Sequence, residues 1–150
     1  MPLDPAFVGR SYPAAGTYLV GREKVREFAT AIGERHPYCH DVEAARAGGY
    51  ADVVAPVTFA IAVSAQSLAE VFADRELGLD FSRVVHGDQS FAYARPLVAG
   101  DEIRVTTTID SIRSVAGNEV LGLSTELVTV AGEAVCRTSA TMVVRGPEAS

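Results

Sequence analysis

The chain is short of lysine. Lys24 is its only one, and arginine supplies the rest of 13 basic residues against 19 acidic, for a formal charge of −6. No basic stripe runs through it, which argues against a nucleic-acid partner and against an anionic membrane surface. Cysteine is almost absent. Cys39 and Cys136 stand far apart without framework spacing, and the simplest reading is a reduced, cytosolic protein. The stretch from Met1 to Arg10 lacks a charged start followed by an apolar run, so no signal peptide is expected. GxGxxG, Walker and GxSxG motifs are missing too. Nucleotide cofactors and serine hydrolysis therefore lack support, and no cofactor is expected. No internal repeat or low-complexity segment is found, and only the two ends read as loose.

Of the 150 residues, 48% are hydrophobic, ample for the core of the one domain this length implies. The apolar residues concentrate in Val57–Asp74, VTFAIAVSAQSLAEVFAD. They do not alternate and fall on nearly every face of a helix, so the expectation is a helix buried on most sides. Alanine favours helix, and Pro56 precedes it where proline is tolerated. Ser64, Gln66, Ser67, Glu70 and Asp74 interrupt the run, which argues against a membrane span of roughly 20 apolar residues.

Before this stretch, Thr17–Val20 reads as a short strand. Arg22–Ile32 reads as an amphipathic helix with Val25, Phe28, Ala29 and Ile32 on one face, closed by Gly33. The polar segment 33–55 is irregular, with a short helix at Val42–Ala47 stopped by Gly48-Gly49. A segment this long and polar points to binding or catalysis. After the apolar stretch the chain reads as strands. Phe91, Tyr93 and Arg95 alternate with small residues. Ile103, Val105, Thr107 and Ile109 oppose Arg104, Thr106, Thr108 and Asp110. Leu121, Leu123, Thr125 and Leu127 share a face. Ala134, Cys136, Ala140, Met142 and Val144 share another, opposite Arg137, Ser139, Thr141 and Arg145. Ala116-Gly117-Asn118 and Ala131-Gly132 mark tight hairpins. Four antiparallel strands after one apolar helix give an α+β architecture, with the helix in the concave face of the sheet.

Several short segments narrow this further. Gly33-Glu34-Arg35-His36-Pro37-Tyr38-Cys39-His40-Asp41 resembles the Gly-Asp-x-Asn-Pro-Leu-His-x-Asp signature of MaoC-like (R)-specific enoyl-thioester hydratases. Ala55–Phe59 resembles that family's entry to its central helix. His86–Phe91 and Arg95–Asp101 resemble stretches of its N-terminal-type dehydratase branch, which includes the non-catalytic A-type subunits of actinobacterial (3R)-hydroxyacyl-ACP dehydratases. The resemblance covers almost the whole chain. It implies a hot-dog fold, a homodimer or a heterodimer with a catalytic hot-dog subunit, and an acyl-CoA or acyl-carrier-protein thioester as substrate.

The chain departs from this signature at the reacting positions. Glu34 stands where the family has its catalytic Asp, and Cys39 where it has its catalytic His. Hydration needs a base for water and an acid for the α-carbon within reach of one substrate pose. An unperturbed thiol, with a pKa near ~8.5 against ~6.5 for imidazole, is a poor replacement base. Three readings follow: a subunit of degenerate active site that depends on a partner, an active hydratase using Glu34 with His40 or His36, and an acyl-thioester-binding homodimer without turnover.

The other candidate residues carry bland and functional readings side by side. The helix start at Pro56, Val57 and Thr58 can hold the thioester carbonyl by backbone N–H. Cys39 reads as a buried small side chain at the substrate loop. His86, Asp88 and Gln89 either line the acyl-thioester pocket or fix a turn. Pro37 and the short spacing of His36, Cys39, His40 and Asp41 fit no common metal pattern. Arg22, Lys24, Arg26 and Arg35 form either a carrier-protein patch or, by default, a solvated helix face.

Overall fold

Alternation in the second half of the chain builds the sheet. In the computed structural model, which describes residues 2–147, β4 (Glu102–Val115), β5 (Asn118–Thr129) and β6 (Ala134–Val144) form an antiparallel meander. Their inward residues meet in rows: Val105 with Leu127 and Cys136, Thr107 with Thr125 and Thr138, Ile109 with Leu123 and Ala140. The β4–β5 turn is Ala116-Gly117, with φ of 49° and 81°. Positive φ at both positions is the mirror-image turn whose twist suits a hairpin. The second connection is looser than the tight hairpin expected, since Val130–Glu133 lie between the strands.

Among the described residues β3 (Val84–Tyr93) pairs only with β6 and forms one edge of the sheet. β1 (Ser11–Pro13) and β2 (Tyr18–Leu19) both pair with β4, making six strands. β1 falls where the sequence reads as a lead-in to a turn. Its three residues are too few to show a period, and its proline is tolerated at an edge.

The sequence reading needs three further corrections. Leu127 pairs with Cys136 but Val128 with Ala134, so Val135 is an extra residue in β6. That bulge turns Val135 into the core and Ala134 outward, against the alternation. Arg95 lies beyond β3, where its guanidinium forks onto Asp101 (2.8 and 3.0 Å) instead of continuing a strand. Ile32 is exposed because it caps α1 (Arg22–Ala31) rather than facing the core.

The central helix is a 3-10 turn at Val57–Phe59 running into α3, Ala60–Ala73. It is buried on one side, not on most. Phe59, Ala60, Val63, Ser64, Ser67, Leu68 and Val71 form the buried stripe, while Ala65, Gln66, Ala69 and Glu70 are exposed. The sheet covers only one side of the helix. Alanine, counted as apolar in the sequence, fills much of the uncovered side. Among the described residues no helix is long and apolar enough to cross a membrane.

The core falls into two apolar clusters. One gathers around Phe59, Val63, Val105 and Leu127, the other around Leu68, Val71, Ile109 and Leu121. Between them lies a chain of buried hydroxyls. Ser67 Oγ lies 2.6 Å from the Tyr12 carbonyl and 2.8 Å from Thr107 Oγ1, which is 2.8 Å from Thr125 Oγ1.

Candidate functional site

Segment 33–41 takes its shape from the end of α1. Gly33 (φ 74°) donates to the Thr30 carbonyl, and Glu34 N–H to that of Ala29. This pair of bonds is a Schellman cap, which only a residue at ease with positive φ completes. The chain then makes a 3-10 turn, Pro37–Cys39, and enters α2 (Val42–Ala47), whose first N–H groups are capped by Asp41.

Within this loop the candidate side chains are turned on one another. Glu34 Oε1 accepts from the His36 N–H at 2.9 Å. His36 Nδ1 accepts from the Tyr38 N–H at 3.2 Å. His40 Nε2 lies 2.7 Å from the Glu34 carbonyl. A carbonyl only accepts, so Nε2 carries a proton. Cys39 is 6% exposed. Burial, and next to it the Glu34 carboxylate, push its thiol above the ordinary value, so at neutral pH it is an uncharged thiol.

The loop is held against two other elements. Arg26 Nε of α1 donates to the His40 carbonyl at 2.8 Å. The Val54 N–H donates to the Tyr38 carbonyl at 2.8 Å, three residues before the central helix begins. Arg22 forks onto Asp52 in the same approach segment (3.0 and 2.6 Å). That ion pair holds Asp52 down at about 2. Arg22, Arg26 and Lys24 pair with Asp52, Glu23 and Glu27, so of the four cations in the candidate patch only Arg35 makes no ion pair among the described residues.

At the helix start Pro56 is buried, while Thr58 and Val57 (66% exposed) face outward. The N–H groups of Val57 and Thr58 make no hydrogen bond among the described residues, and such free donors at a helix N-terminus attract negative charge. The turn is pinned from the sheet by Tyr93, whose hydroxyl donates to the Val57 carbonyl at 2.5 Å. Burial, and then the neighbouring Cys136, push the Tyr93 phenol well above its usual range, keeping it a donor.

Gln89 and His86 share the inner side of β3 with Tyr93, opposite Ala140 and Met142. Gln89 Oε1 is buried without a partner among the described residues. The bulge at Gly87 separates the two, and His86 Nε2 turns to the Asp88 carbonyl at 3.0 Å. Gln89 is four residues from Tyr93, about 13 Å along a strand. The candidate residues thus form two groups, the loop 34–40 with the helix start and the inner side of β3. No hydrogen bond joins Glu34 or His40 to His86 or Gln89 among the described residues.

A family profile described as FAS1-like, dehydratase domain region, matches residues 6–138. The chain belongs to this FAS1-like dehydratase family. It is 53% identical over 148 residues to a UPF0336 protein of Streptomyces avermitilis, covering 99% of both chains. Among solved structures it is similar to a MaoC-like dehydratase (TM-score 0.87, 35% identity), covering 95% of this chain but only 43% of that longer one. It is also similar to the Mycobacterium tuberculosis HadBC (3R)-hydroxyacyl-ACP dehydratase complex (TM-score 0.86, 28% identity), covering 95% of this chain and 99% of that one. The fold is accordingly the α+β hot dog.

In this FAS1-like dehydratase chain, Tyr93 is a site residue the sequence does not single out, and Arg26, a patch or helix-face residue by sequence, holds the site loop. Both act through backbone carbonyls of the site, Val57 and His40. A bond from a distant side chain to a carbonyl leaves no spacing signature. The one signal for Tyr93 was its place in the strand alternation.

Proposed function

We propose that the chain is a partner-dependent subunit of a (3R)-hydroxyacyl-thioester dehydratase, working in fatty-acyl metabolism as one hot-dog domain beside a catalytic hot-dog chain. One observation carries this reading: Cys39, which the resemblance sets where the family has its catalytic His, is buried and uncharged. Dehydration removes a proton from the α-carbon and expels the 3-hydroxyl as water, and an uncharged thiol does neither efficiently. The partner supplies the acid and base. This chain supplies the acyl channel and, through the N–H groups of Val57 and Thr58, a place for negative charge gathering on the thioester oxygen. The unpaired edge of β3 offers the pairing surface. The similarity to the HadBC complex supports a two-chain assembly.

A second reading rests on His40. Its Nε2 is engaged by the Glu34 backbone carbonyl, which leaves Nδ1 available as a base. Hydration of crotonyl-CoA by the purified chain, followed by loss of the enoyl absorbance, separates the readings. The proposal expects no turnover alone and turnover on co-expression with a hot-dog partner carrying an intact Asp/His pair. Turnover by the chain alone, abolished by Glu34→Ala, overturns it in favour of the second reading. A homodimer that retains acyl-CoA without turnover, and gains nothing from a partner, makes the chain a binding protein.

A further inference from the structure

A cavity of about 710 Å³ opens at the other end of the molecule, beyond the C-terminus of α3. From Thr58 to Arg75 is 17 residues, about 25 Å along a helix, so the cavity is separate from the helix start and the 33–41 loop, and none of the candidate site residues lines it. Its floor is apolar, made by Leu3, Leu77, Leu79 and Val144, all buried. Three arginines line it: Arg75, Arg83 and Arg145.

These arginines are unlike most others in the chain. Arg10, Arg22, Arg26, Arg46, Arg95 and Arg137 are ion-paired, whereas Arg75, Arg83 and Arg145 make no ion pair or side-chain hydrogen bond among the described residues. Acidic residues also line the cavity, but each is engaged. Glu76 pairs with Arg10, Asp4 accepts from Ala6, Asp80 from Ser82, and Glu119 from Ser114. Arg75 has a local role, because a cation just past a helix C-terminus is favourable. Arg83 closes the 3-10 turn Phe81–Arg83 and its charge acts on Asp80, whereas Arg145 has no such role among the described residues. The Arg145 N–H donates to the Arg83 carbonyl at 3.0 Å, one step beyond the Val84–Val144 pair. The two stand opposite each other just beyond the paired ends of β3 and β6, and like charges placed directly opposite are unfavourable. An anion between them converts that repulsion into two charge-assisted contacts.

We propose that this cavity binds a single-chain amphiphile with a carboxylate or phosphate head, the head between Arg83 and Arg145 and the chain on the leucine floor. The volume is in the usual range for a small-ligand site, roughly 300–1,000 Å³.

The test is titration of the whole chain with decanoate and, separately, decyl phosphate, followed by amide NMR. Saturable shifts at Gly78, Gly117 and Gly146, which line the cavity, are expected, with Gly33 unmoved. Arg83→Gln with Arg145→Gln should weaken binding roughly tenfold or more, the scale of a lost charged hydrogen bond. If the double variant does not fold, Arg145→Gln alone should give a smaller loss of the same sign. The tighter of the two probes identifies the head group. No saturable shift from either probe overturns the proposal. So do shifts centred on 33–41, equal affinity for decanol, or unchanged affinity in the folded variants. None of these outcomes depends on dehydratase turnover.

Discussion

The Tyr93 phenol donates to the Val57 carbonyl across 2.5 Å, tying the edge strand of the sheet to the first turn of the central helix. That turn carries the free N–H groups of Val57 and Thr58. Tyr93→Phe keeps the ring and removes the donor. We expect a loss of about 1 kcal/mol in stability, together with faster hydrogen exchange at Ala60 and Val63. Exchange in β5 should not change. Uniform acceleration over the whole chain would mean that the bond does not act locally.

The hydroxyl chain through the core hangs on Ser67. Its Oγ donates to the Tyr12 carbonyl, which only accepts. The same Oγ meets Thr107 Oγ1, which in turn meets Thr125 Oγ1. Ser67→Ala strips both Tyr12 and Thr107 of a partner inside the core. The expected cost is about 1–3 kcal/mol in denaturant unfolding, the penalty of buried unsatisfied groups. Ser64→Ala should cost less, because that hydroxyl only returns to the Ala60 carbonyl of its own helix.

Asp52 supplies a pH test. Its carboxyl is held at about 2 by Arg22, against about 3.9 for an unperturbed aspartate. A depressed folded-state pKa gives stability that is complete above the unfolded value and is lost as pH falls through the folded one. The stability difference between wild type and Arg22→Ala should therefore be flat above about pH 5 and shrink between about pH 4 and 2. Carboxyl NMR titration should move the Asp52 midpoint upward in the variant. An unmoved midpoint would show that the pair is not formed in solution.

Gly48 ends α2 against the ring of Tyr38: a Cβ there would lie 2.4 Å from Cζ. Gly48→Ala must push the far end of the ring aside. The expected cost is about 1–3 kcal/mol, as for other overpacked sites, with changed NMR contacts between Tyr38 and Tyr50, whose rings now meet at 5.7 Å. Gly49→Ala is a different case, since φ of 93° strains it whatever the space.

Most of the architecture was legible because it rests on period. The inward residues of β4 and β5 alternate without a break from Ile103 to Ile109 and from Leu121 to Leu127, and the structure buries them all. Gly33 and Gly48-Gly49 mark the ends of α1 and α2 for a local reason, the backbone freedom that a helix terminus uses. What failed depended on neighbours. Val135 enters the core because β5 forces a bulge into β6, and no property of residues 134–144 alone announces it. The exposed alanines of α3 look buried until the number of layers packed on the helix is known. The site was half legible: the signature located the loop, but its internal hydrogen bonds, including the His40 bond to Glu34, depend on φ and ψ rather than residue type.

The order of the strands also sets an order of events. Ser90 of β3 pairs with Ser139 of β6, 49 positions later. At about 5–20 residues per second, β3 leaves the ribosome ~2–10 s before its partner β6 exists. β1 and β2 wait for β4 alone, and β4 and β5 close as a hairpin as soon as they are made. The final strand is paired on both sides, with β5 and with β3, so a nascent chain stalled before Ala134 holds β3 outside the sheet. Completion of the sheet therefore waits for β6, although the longest closure within it is the 97 positions that bring Ser11 of β1 to Thr108 of β4.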